Sequence, residues 1–422
     1  MFRKASQMKM TLTLLTLLFT VAAAAHAQVA PDAKSPGLPI SGKLHYDLHY
    51  SEISYLGDSL GDSQSAILSG NVGYMNDGER LPFALTYGGG YIWNIAGASY
   101  GAGLFENLLL SQGIVGRNWN IRASDNVSYR KMAPTTGFSG VPGTGEPVGG
   151  SNPSPPSSQT ILTLNTRTIN NVVTGEFEHG LNYAMALSVG GSSELLRYPD
   201  GNGLDTGAQM ANALLTRRLN ARNSLSGEYL FSDYSYPGNN LAQAISSLET
   251  NTALFGYQRE WNRRIITNVS VGPEWIASSN SAVVPSSIGV SGSAKVDDHF
   301  RNGSAGLYYS HATSGGGGFL PGAEVDSVSA NFSRELERKL TIGLTGGFRR
   351  TSSLGNEGEI NGKYGAAMAT MRLSQHFTAF ASYTGTDQSS SYSLPTNTLN
   401  QLLQVISFGI GYSPREKRLN SQ

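Results

Sequence analysis

Two groups of residues have the types and spacing for chemistry. His45, Asp47 and His49 lie at i, i+2 and i+4, so an extended chain puts all three on one face. Imidazole and carboxylate are metal ligands, but at about 3.3 Å per residue the two histidines stand roughly 13 Å apart, too far for one ion. They read as a polar lining. Gly97-Ala98-Ser99-Tyr100-Gly101 matches the G-x-S-x-G string of a nucleophile elbow. That string has meaning only on a strand-to-helix turn, and here it falls in a Gly-rich connection with no helical pattern after it. The match reads as coincidence. These residues predict no catalytic, cofactor-binding or metal site.

The elements that must carry such residues follow a regular spacing. Short charged turns recur about every 38 residues, near Glu79, Val115, Gly180, Asn220, Asn262, Asp298, Glu337 and Gln375, and the last strand ends near Ser413. Between marks lie two alternating apolar/polar stretches, joined by a longer loop rich in Gly, Ser, Asn and Pro. The one long interval, Val115 to Gly180, holds the Gly/Pro/Ser-rich segment Lys131 to Ser158, so it counts as one hairpin with a long loop. A soluble solenoid would repeat a consensus sequence, whereas these units share only a pattern. Nine hairpins predict an all-β, transmembrane, antiparallel up-and-down β-barrel of about 18 strands, with the short turns on the periplasmic side.

Alternation assigns the faces. Phe83, Leu85, Tyr87, Gly89, Tyr91 and Trp93 point to lipid, while Ala84, Thr86, Gly88, Gly90 and Asn94 point to the lumen. Leu340, Ile342, Leu344 and Phe348 face outward against Thr341, Gly343, Thr345, Gly347 and Arg349. Ile265, Val269, Val271 and Trp275 oppose Asn268, Ser270, Gly272 and Glu274 in the same way. In Trp119 to Arg130 the inward row is Asn120, Arg122, Ser124, Asn126, Ser128 and Arg130. The outer row of that strand carries Asp125, which suggests a bulge or a register slip. Phe380 falls on an inner row. The final strand sets Ile406, Phe408, Ile410 and Tyr412 outward against Val405, Ser407, Gly409 and Gly411.

The ends and composition narrow the class further. Arg3, Lys4 and Lys9, then the apolar run Leu12 to Ala25, then Ala25-His26-Ala27 read as a signal peptide over residues 1–27. A short periplasmic segment (28–41), the barrel (42–413) and a periplasmic tail (414–422) complete the expected organisation. The chain has no Cys, which excludes a lipoprotein anchor, disulfides and thiolate metal sites. It has 51 Gly and 20 Tyr, and only 14% of its residues are charged, which suits strands and turns. Without the three signal-peptide basic residues, 27 basic face 30 acidic, so nucleic acid is not an expected partner.

In architecture the chain resembles porin-like outer-membrane barrels of Gram-negative bacteria, including the β-barrel porins associated with exopolysaccharide export. Its last strand resembles the C-terminal strand that the barrel-assembly machinery recognises. The resemblance implies a passive channel or export conduit in the outer membrane. Lipid, lipopolysaccharide, periplasmic export components or further copies of the chain would be its partners. A non-conducting scaffold or adhesin is the alternative, and a barrel enzyme a third, with His311 and Asp326 as rim candidates. The short N-terminal segment leaves no room for a plug domain. Candidate pore-lining residues are Arg122, Arg130, Glu146, Asn268, Glu274 and Arg349. Glu146 lies in the longest loop, which either folds inward so that Arg122 and Arg130 face it across a constriction, or stays outside. The arginines of the turns (Arg217, Arg218, Arg222; Arg259, Arg263, Arg264; Arg334, Arg338, with Lys339) read as strand terminators.

Overall fold

The computed structural model describes residues 42–57, 62–76, 78–97, 102–131, 167–201, 203–237, 245–316, 320–337, 339–355, 358–391, 402–414 and 417–419. The predicted signal peptide, the segment 28–41 and the long loop with Glu146 lie outside these residues. The first third of the sheet comprises β1 (Gly42–Gly57), β2 (Ser63–Asn76), β3 (Phe83–Gly97), β4 (Gly103–Val115), β5 (Trp119–Lys131) and β6 (Arg167–Asn182). β7 (Met185–Arg197), β8 (Thr206–Arg218), β9 (Asn223–Ser235), β10 (Ser247–Glu260), β11 (Ile265–Ser278) and β12 (Ser287–Phe300) follow. β13 (Gly303–Ser314), β14 (Ala323–Leu336), β15 (Leu340–Ser353), β16 (Glu359–Arg372), β17 (Phe377–Ser390) and β18 (Leu402–Tyr412) complete the wall.

Each strand pairs antiparallel with the next, and β1 pairs with β18 from Leu48↔Tyr412 to Gly57↔Leu403. The sheet therefore closes on itself as an 18-stranded antiparallel barrel, which leaves no open edge in its wall. A three-residue strand, β19 (Lys417–Leu419), continues along Gly42–Leu44 of β1. The tail predicted to begin at residue 414 thus extends the seam.

The outward rows are apolar. Val269 and Val271 on β11, Leu344 on β15, and Phe408 and Ile410 on β18 all project from the wall, as their alternation predicts. An apolar outer belt over an enclosed polar row is the arrangement of a membrane-spanning barrel. Tyrosines at the margins turn their hydroxyls to polar partners: Tyr50 donates to Glu52 (2.8 Å) and Tyr383 to Gln404 (3.0 Å). On the inner row Phe380 finds room because a glycine stands across from it. A Cβ on Gly409 would run into the Phe380 ring.

Two expectations need correction. The turns expected near Val115, Gly180 and Asp298 do follow there, but a few residues later, since those residues still belong to β4, β6 and β12. The strands run 11 to 16 residues, longer than the minimum that crosses lipid, so the ladder continues past the charges taken as turn markers. Asp125 marks no bulge. The register of β5 with β4 and with β6 is unbroken, and Asp125 stays on the outer row, where it accepts a hydrogen bond from Asn171 Nδ2 (2.7 Å). The irregularities lie elsewhere: the β2–β3 pairing slips between Gln64 and Ser65, and the β6–β7 pairing between Gly180 and Asn182.

These faces predict an asymmetric response to charge. Leu344→Arg or Val271→Arg should cost about 2–4 kcal/mol near the middle of the bilayer, and Thr345→Arg or Ser270→Arg well under that. Equilibrium refolding into lipid bilayers measures the difference, and equal costs on both faces would reject the register.

Candidate functional site: the lumen and its mouth

Four pairs of small hydroxyl residues on the lumen wall satisfy one another. Ser124 and Thr174, Ser270 and Ser293, Ser310 and Ser327, and Ser382 and Ser407 stand directly opposite across adjacent strands. Their hydroxyls bond at 2.6, 2.9, 2.6 and 2.6 Å. Cross-strand pairs of this kind add stability and satisfy the hydroxyls that take part in them.

Of the pore-lining candidates, Arg122, Arg130, Asn268, Glu274 and Arg349 fall on inward rows, and Glu146 lies outside the described residues. The structure does not gather these five into one constriction. Arg122 stands opposite Glu176, a residue the sequence reading missed, and Ser188 donates to that Glu176 (2.8 Å). Asn268 lies opposite Lys295, which pairs with Asp297 (3.0 Å). Glu274 is buried, with Thr252 donating to one carboxylate oxygen (3.2 Å) and Thr313 to the other (2.9 Å). Thr313 reaches it because β13 leaves β12 beyond the pair His311↔Gly292 and bends inward. Arg349 is on β15, away from the others.

His45, Asp47 and His49 share the inward face of β1, as predicted. Both imidazoles lean on Asp47, at 3.4 and 3.1 Å, and Asn71 donates to it as well (2.9 Å). Among the described residues no cluster of His, Asp or Glu is arranged to hold a metal ion.

The end with the longer connections is partly closed. Ala208, Tyr234, Leu248 and Ile276 turn inward from β8 to β11 and pack with Leu204, Tyr236, Ile245 and Val284 in one buried cluster. Leu354, from the β15–β16 connection, packs against it, and its amide donates to the Gly322 carbonyl (3.3 Å). A second cluster joins Leu196 and Tyr198 at the end of β7 to Leu320, Ala323 and Ile360. Since β7 and β14 are not neighbours in the wall, a cluster that holds Leu320 and Ala323 together with Leu196 and Tyr198 must span the mouth. The described residues of the β13–β14 connection, Leu320 to Gly322 among them, are therefore folded over the lumen. Gly322, at φ +91°, lets the chain turn there, with a would-be Cβ 2.7 Å from Leu248.

His311 and Asp326, which no motif singled out, are cross-strand partners on the outer face. Nδ1 lies 2.7 Å from Asp326 and Nε2 2.9 Å from Glu324, while Tyr309 donates to the same Asp326 (3.3 Å). Both ring nitrogens are engaged by carboxylates, which leaves neither to activate a hydroxyl.

No protein-family model matches the chain. No curated protein matches it. Among solved structures it is similar to OccAB4 of Acinetobacter baumannii, at 10% identity and TM-score 0.47, with 91% of this chain and 100% of that one covered. It is similar to OccK2 (OpdF) of Pseudomonas aeruginosa at 10% identity and TM-score 0.48, covering 90% and 98%. A bacterial polysaccharide outer membrane secretin is similar at 11% identity and TM-score 0.36, covering 88% and 98%.

The mouth depends on Gly322. Gly322→Val should be strained by roughly 1–3 kcal/mol at this φ and should push the connection off Leu248. Limited proteolysis of the folded barrel should then cleave the β13–β14 connection faster than in the parent. Unchanged cleavage would show that the connection does not rest on this contact.

Proposed function

We propose that this chain is a bacterial outer-membrane channel for polar solutes, delivered by a cleaved N-terminal signal peptide, with the short turns in the periplasm and the β13–β14 connection narrowing the external mouth. One observation carries the reading. Eighteen strands enclose a lumen wider than wall side chains can fill, and its lining is hydroxyl- and amide-rich. A scaffold or adhesin has no need of such a lining. Exported polysaccharide is one polar cargo consistent with it, and export components at the periplasmic turns would then be its partners. Arg217, Arg222 and Arg263 are exposed there. The paired state of His311 speaks against hydrolysis at the rim.

Planar-bilayer recording on refolded protein tests this. Stepwise ohmic conductance is the expected result, rising when the β13–β14 connection is released by Gly322→Val. A folded barrel that conducts in neither form would establish the scaffold reading instead.

A further inference from the structure

The inward rows of β14 to β18 are nearly free of charge. Above the ends near the short turns, Arg349 is the one charged side chain on these rows among the described residues. Its cross-strand partners are Ser327 and Gly362. Tyr364 lies beside it, and a phenol, neutral near pH 7, supplies no anion. Glu274 sits on β11 and is held by Thr252 and Thr313. The Nε and Nη2 atoms of Arg349 are buried and make no hydrogen bond.

Two buried guanidinium nitrogens without an acceptor are costly, and their retention asks for a reason. The identity of the two free atoms supplies one. Nε–H and the neighbouring Nη2–H are the parallel donors on one edge of the guanidinium, the edge that a carboxylate or phosphate bridges with two oxygens. We propose that Arg349 forms an oxyanion-binding site in the lumen wall, taking the carboxylate or phosphate group of a solute in bidentate fashion. The hydroxyl-lined wall around it contributes neutral donors and no competing acid. The site deepens the channel reading, on which its role in transport rests.

Inorganic phosphate and acetate are the probes, titrated calorimetrically into the refolded barrel in detergent, with chloride as the single-atom control. The parent should bind phosphate or acetate more tightly than chloride. Arg349→Gln should weaken the oxyanion at least about tenfold, and Arg349→Lys should fall between, since it keeps the charge and loses the fork. If Arg349→Gln does not fold, Ser327→Asp serves instead: it places a carboxylate across from Arg349 and should block the probe to a similar degree. A parent that binds neither oxyanion, or folded variants that bind as the parent does, would overturn the site. Binding that is lost in the variants of a barrel that never conducts would uphold the site and sink the channel reading, so the two fail separately.

Discussion

Inside a hydrocarbon layer every backbone amide and carbonyl must find its partner within the protein, and that requirement organises this chain. Antiparallel hairpins satisfy all strands but the first and last, and the β1–β18 ladder satisfies those two. Closure sets the rest. It fixes which row of each strand meets lipid, it ties an even strand number to two ends on the same side, and it creates an enclosed wall whose polar groups must be satisfied by one another. The tail strand β19, laid along the first residues of β1, lengthens this seam where β18 has already ended.

Much of this was legible because a strand's alternation is local. Leu344 against Thr345, or Val271 against Ser270, reveals its face without any neighbour. Strand ends were less legible, since a charge marks a turn only when the ladder stops there, and at Asp298 it does not stop: Arg264 holds that carboxylate at 3.2 Å. Asp125 looked like an error because an acid on a lipid face is unfavourable. Its compensation, Asn171, lies on the next strand and is invisible along the chain.

The partly closed mouth is the largest omission, though it left a trace. Tyr91-Ile92-Trp93, Leu195-Leu196 and Trp275-Ile276 are places where both faces of a strand become apolar, all near the longer connections. Two apolar faces on a barrel strand mean lipid outside and packed protein inside. Which connection supplies that protein is a long-range fact, fixed by the cluster that joins Leu320 with Leu196 and Tyr198. The charge pattern of the lumen was hidden for the same reason. Glu176, Glu194, Glu228 and Glu274 all project inward from β6 to β11, opposite the neutral rows that hold Arg349, and only the closed ring sets these two sectors against each other.

The serine and threonine pairs of the wall bear on motion as well as on stability. A hydroxyl that already holds a partner at 2.6 Å has little left to give a passing molecule. Any contact it makes exchanges one hydrogen bond for another, at small net free energy. A lining of this sort is slippery: it wets a polar molecule without retaining it, and the landscape along the axis stays shallow. Dwell time in such a tube is then set by the few groups that stand outside the pairing, however many hydroxyls the wall contains.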